Sequence, residues 1–273
     1  MTSALLANAI LSGDVSSSTE ISELLGYPLL KDGKITLEQL SNHTSGMMRM
    51  PGNFLFAQMK DPDNPYIHYD EAALKTWLTE YMTTDLKHDG SNYSNLGVAL
   101  LAHGLTKKYN KPYEDLLQEQ IFQKLGMKNS TTKLEKVKER LIKGQDAKGQ
   151  TSKNWEFDVL EGAGAVLSTI SDMEKFTRAV MSQKNEALEL QRKPTFKVND
   201  NLEIGMGWHI FNANDGNTLY WHNGGTNGYT SSFIIDVERQ LAFVILSNLS
   251  AFHANMGNID VLTFDFMKTL KNQ

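Results

Sequence analysis

The chain has 273 residues, 40% hydrophobic and 22% charged, so it is long enough for a sizeable core and too apolar for a disordered segment. A net charge of −5 with no Lys/Arg cluster argues against nucleic acid as the main partner. The absence of cysteine excludes disulfides, thiolate nucleophiles and Cys-ligated zinc, and no apolar run reaches membrane-spanning length.

The first eleven residues are apolar but carry neither a basic n-region nor a small-residue cleavage site. They read as a helix already in progress, not as a signal peptide, and Gly13 stops it. A polar, loop-rich stretch follows to Lys34. Thr36–Leu40 opens a short helix that runs into His43-Thr44-Ser45-Gly46, and three prolines between Met50 and Tyr69 predict an irregular surface segment. Asp70 caps a helix to about Met82, with Ala73, Leu74, Trp77, Leu78 and Tyr81 along one face. Tyr93-Ser94-Asn95 leads into a strongly apolar helix over Leu96–Lys108. Pro112 starts an amphipathic helix that Gly126 ends.

Lys128–Trp155 is polar with weak periodicity, hence loops with at most a short helix. Gly162-Ala163-Gly164-Ala165 forms a small-residue turn, and a helix runs from about Asp172 to Met181. From Leu202 the period becomes strand-like: Met206–Phe211, Thr218–His222, Ser231–Val237 and Leu241–Asn248 read as four antiparallel strands. The second ends in the glycine-rich stretch Asn223-Gly224-Gly225-Thr226-Asn227-Gly228. Asn258–Leu270 closes the chain as an amphipathic helix. Helices first, then a meander, then one covering helix predict an α+β fold.

Singly, the motifs are ambiguous. Tyr93-Ser94-Asn95 fits a helix cap, His43–Gly46 a helix stop, and Gly162–Gly164 a close backbone crossing. His222, the last side chain before the Gly224-Gly225 opening, suits either a hairpin surface or a catalytic position, since imidazole titrates near neutrality. The seven histidines (43, 68, 88, 103, 209, 222, 253) form no H-x-H or H-x-x-x-H pair, which gives a metal site little support.

Together and in order, these blocks resemble the serine β-lactamase and penicillin-binding-protein superfamily, in its branch of class C β-lactamases, D-alanyl-D-alanine carboxypeptidases and esterases. Ile35–Met47 is similar to that branch's ITLRHLLTHTSGL block, and Tyr93-Ser94-Asn95 to its Y-x-N motif. Ile121–Met127 is similar to IFxPLGM, with Lys124 where proline is usual. Gly162–Met173 resembles AAGGLxSTAxDM, and His222-Asn223-Gly224-Gly225 stands where the family has [KH]-x-G-[GST].

The resemblance implies a β-lactamase/transpeptidase-like fold in a single domain over 1–273, with a helical lobe to about residue 195 and a sheet lobe with its C-terminal helix over 196–273. It implies acyl transfer through a serine, no metal or cofactor, and a peptide, amide or ester substrate. Tyr93 would be the base or proton shuttle and Asn95 would hold the substrate amide. His222 would relay protons or bind a carboxylate. Asn223, Gly224 and Gly225 would bind substrate, with the Gly225 amide an oxyanion donor. The family's Ser-x-x-Lys is not found where it belongs, because Met1–Leu6 resembles the FTAALL that follows the lysine. The expectation is therefore a chain that enters the active-site helix midway, without the nucleophile or the family's first strands, and that self-associates through an exposed sheet edge. The only Ser-x-x-Lys present, Ser130–Lys133, lies in a polar loop and reads as a chance match. A non-catalytic homologue that uses the cleft for binding is the alternative. The compartment is not legible.

Overall fold

The computed structural model describes residues 1–30, 33–82, 90–212 and 216–271; His88 lies outside them. Helix α1 (Thr2–Leu11) is buried along nearly its whole length. Helices α2 (Ile21–Leu25), α3 (Leu37–Ser41) and α4 (Phe54–Lys60) are short. Thr36 and Gln39 form a reciprocal capping box on α3. Helix α5 (Glu71–Thr76) is capped by Asp70 and widens into a π turn over Trp77–Tyr81. Helix α6 (Asn95–Tyr109) is the buried axis of the helical part, with Leu96, Ala99, Leu100, Leu101 and Leu105 inaccessible or nearly so. Helices α7 (Tyr113–Leu117) and α8 (Gln123–Leu125), joined by a second π turn, end at Gly126 in the left-handed conformation, φ 69°. Helices α9 (Ile170–Met181) and α10 (Glu186–Arg192) precede the sheet.

The sheet is an antiparallel meander in the order β1 (Phe196–Asn199), β2 (Leu202–Ile204), β3 (His209–Asn212), β4 (Thr218–Gly225), β5 (Thr230–Asp236) and β6 (Leu241–Ser247). Strand alternation divides β5 between two layers. Phe233 and Ile235 join the main core with Phe176 of α9, whereas Ile234 packs with Met267 of the closing helix α11 (Asn258–Lys271).

The sheet has two strands that the periodicity does not predict. Strands β1 and β2 are short, β1 mostly exposed and β2 only three residues long, so they carry no clean alternation. Helix α4 forms in the segment predicted to be irregular, exposing Leu55, Phe56 and Met59 and burying only Phe54 and Ala57. Strand β4 also passes through the glycines predicted as a turn; the turn follows it, closed by the Thr226 N–H donating to the Tyr229 carbonyl at 2.8 Å. Glycine is required at 225 because a Cβ there would stand 2.5 Å from the Ala251 Cβ.

Candidate active site

The start of α6 is built by contacts with the turn after α3. Ser94 caps the helix, its Oγ accepting the Gly97 N–H at 2.9 Å and donating to the Met48 carbonyl at 2.7 Å. His43, in the left-handed conformation at φ 62°, accepts the Asn92 N–H at its carbonyl (2.8 Å) and the Ser94 N–H at its ring Nδ1 (3.2 Å). The accepting Nδ1 fixes the neutral ring with its proton on Nε2. This places Tyr93 against His43, ring centroids 4.4 Å apart, with the Arg49 guanidinium 5.2 Å from the Tyr93 ring centre. Asn95 opens the helix, and its side-chain amide makes a weak 3.9 Å contact to the Met50 sulfur.

Strand β4 brings His222 in from the opposite wall. Its register partner is Phe233, so its ring faces the helical side, 6.3 Å between centroids from Tyr93 and 6.1 Å from His209. Tyr93, Asn95, His222, Gly224 and Gly225 line one cavity of about 420 Å³, walled otherwise largely by apolar side chains such as Trp155, Trp208 and Phe176. Asn223 differs. Alternation turns its side chain through the sheet to α11, where its amide donates to Asp260 at 2.8 Å, so only its backbone is available to the cavity.

Burial sets the protonation states. His43 is pushed down to about 4 and His222 to about 3, by burial first and then by the neighbouring His209; His43 adds to the effect on His222. His222 keeps some surface open to the cavity but lies deep within the protein. Burial holds the Tyr93 phenol above its ordinary value, with Arg49 opposing. At neutral pH the site therefore holds a neutral phenol between two neutral imidazoles, an arrangement suited to passing protons. No lysine is among the described residues that line the cavity with Tyr93, and the Arg49 guanidinium lies over its ring.

Ser130 is buried, its Oγ donating to Asp172 at 3.0 Å, and Lys133 pairs with Glu161 at 2.9 Å. They have structural partners and do not line the cavity. The sequence reading missed His43 as a site residue. It stands in the HTSG block, but nothing local signals that its ring lies against a tyrosine fifty residues on.

The family model for Beta-lactamase matches residues 1–263. Penicillin-binding protein 4* of Bacillus subtilis (strain 168) is 24% identical over 236 residues, covering 78% of this chain and 51% of that protein. The D-alanyl-D-alanine-carboxypeptidase/endopeptidase AmpH of Escherichia coli (strain K12) is 24% identical over 271 residues, covering 90% of this chain and 68% of that protein. The chain thus spans about half the length of the Bacillus relative, and 46% of Beta-lactamase-like protein 4 of Dictyostelium discoideum. Among solved structures, a class C beta-lactamase superposes with a TM-score of 0.82 at 18% identity, over 98% of this chain and 79% of that one. A beta-lactamase/D-alanine carboxypeptidase from Pseudomonas syringae gives 0.79 at 18% identity, over 96% and 80%. The fold is therefore the β-lactamase/transpeptidase-like α+β fold.

Proposed function

Because the chain belongs to the Beta-lactamase family, we propose that its cavity supports acyl transfer from a peptide, amide or ester substrate to a serine, followed by hydrolysis of the acyl-enzyme. The observation that supports this most is the convergence of Tyr93 and His222, ring centroids 6.3 Å apart, on one cavity with Asn95 and Gly225. In this reading Tyr93 passes the serine proton to the leaving group, and His222 holds and relays it. Asn95 anchors the substrate amide, and the Gly225 N–H stabilises the developing oxyanion.

The nucleophile is proposed to come from a Ser-x-x-Lys segment ahead of Met1, the lysine amine taking the serine proton one helical turn away. The one Ser-x-x-Lys within the 273 residues, Ser130–Lys133, is engaged in structural contacts. A histidine at 222, rather than the lysine that would pair a carboxylate, favours peptidase or esterase chemistry over penicillin hydrolysis. Binding without catalysis remains the second reading, favoured by that same missing pair.

The test is ester hydrolysis by the chain extended with a Ser-x-x-Lys segment. Tyr93→Phe should lower kcat by about 10²–10⁴-fold, the usual worth of a general acid–base group, with KM little changed. An unchanged kcat would remove Tyr93 from the mechanism.

A further inference from the structure

A second cavity, of about 350 Å³, lies on the far side of the wall formed by Tyr113, Glu161 and Gly162 and shares those residues with the first. Its floor is the last two turns of α6 and its rim the 158–162 loop. His103 lines it, only 7% exposed, and its ring Nε2 has no hydrogen-bond partner; the Glu71 carboxylate, at 3.8 Å, is out of range. A buried imidazole nitrogen with no partner within the chain is free to bond a group that enters the cavity.

The charges around it specify that group. Lys107 is held by Glu71 at 2.5 Å, Lys111 by Glu119 at 2.6 Å, and Glu161 by Lys133 at 2.9 Å. Among the described residues this leaves Asp158 as the lining charge with no counter-ion within 4 Å. Asp158 is exposed on the rim, and its carboxyl is held above the usual range by partial burial and by the negative charges of Asp70 and Glu71, with Lys133 opposing. Burial also keeps His103 neutral, so its ring can present a lone pair in place of a like charge. The carbonyl end of α6 adds partial negative charge. No group of three or more His, Asp or Glu side chains among the described residues is placed to hold a metal ion.

We propose that this cavity binds a small alkylammonium compound, its N–H groups donating to Asp158 and to the His103 ring nitrogen. The proposal does not depend on the chemistry of the first cavity. Calorimetric titration of the intact chain with n-butylammonium chloride should give saturable one-to-one binding. Uncharged 1-butanol should bind at least tenfold more weakly, and butyrate not at all. Asp158→Asn, a rim substitution that leaves the core untouched, should weaken ammonium binding at least tenfold. The nitrogen NMR resonance of His103 Nε2 should shift during the titration. Absence of saturable binding, as for a cavity filled by water alone, would overturn the proposal. So would equal affinity for butanol or butyrate, an Asp158→Asn affinity like that of the parent, or an unmoved His103 resonance.

Discussion

His43 bears most directly on how the site holds its shape. It is 3% exposed, accepts one backbone N–H at its ring and another at its carbonyl, and packs on Tyr93. Its imidazole stays neutral down to about pH 4, whereas in the unfolded chain it takes a proton near 6.5. The contribution of this neutral histidine to stability is therefore complete above pH 6.5 and is lost as the pH falls from 6.5 towards 4, because the unfolded state binds the proton first. His222 acts in the same direction. Thermal melts across pH 7.5 to 4 should show Tm falling below pH 6.5, and His43→Gln should flatten that slope; an equal slope in the variant would assign the loss to other groups. The tyrosine, the asparagine and the glycines of this site were legible in the sequence as motif positions. The direction of Asn223, however, depends on β4 running straight through its glycines, and glycine in a strand looks like a turn until the close approach of Ala251 is known.

At the scale of elements, α6 carries the site because its first residue is Asn95 and its cap is Ser94. Ser94→Ala removes the cap and the hydroxyl that donates to the Met48 carbonyl, at a cost of about 1–2 kcal/mol. Chemical denaturation should show that loss, and Ser94→Thr should recover part of it. The 162–164 turn crosses the same helix so closely that a Cβ at Gly162 would stand 2.3 Å from the Ala102 Cβ and 2.9 Å from the Val98 carbonyl. Gly162→Ala should therefore destabilise by about 1–3 kcal/mol through overpacking, again read by denaturation; a neutral result would mean that the turn can move away. Apolar periodicity was enough to locate α1, α6, α9, α11 and strands β3 to β6, each with a face packed against other elements. It was not enough for α4, whose apolar residues mostly face outward, or for β1, where Lys197 and Asn199 are exposed.

Across the whole molecule, β6 is the last strand of the sheet, and the surface beside it is apolar. Val261, Leu262, Phe266 and Leu270 of α11, which packs on β6 through Phe243 and Phe266, are all at least 40% exposed. An edge strand flanked by an exposed apolar helix is a template for association. Light scattering on the 273-residue chain should therefore give a mass above that of the monomer, and Val261→Lys with Phe266→Lys should restore the monomer; a monomeric parent at tens of micromolar would remove this expectation. The order of the elements already implied the α+β class, while the convergence of Tyr93 with His222 required the fold, because 129 residues of chain separate them. The central proposal is that this cleft supports serine acyl transfer with a nucleophile from outside the 273 residues. Intact-mass analysis after treatment with a fluorophosphonate probe tests it most directly. The account predicts no adduct on the 273-residue chain and one adduct, on the serine of the added segment, when a Ser-x-x-Lys segment is joined ahead of Met1. Stoichiometric labelling of Ser130 or of any other serine within the 273 residues would contradict it.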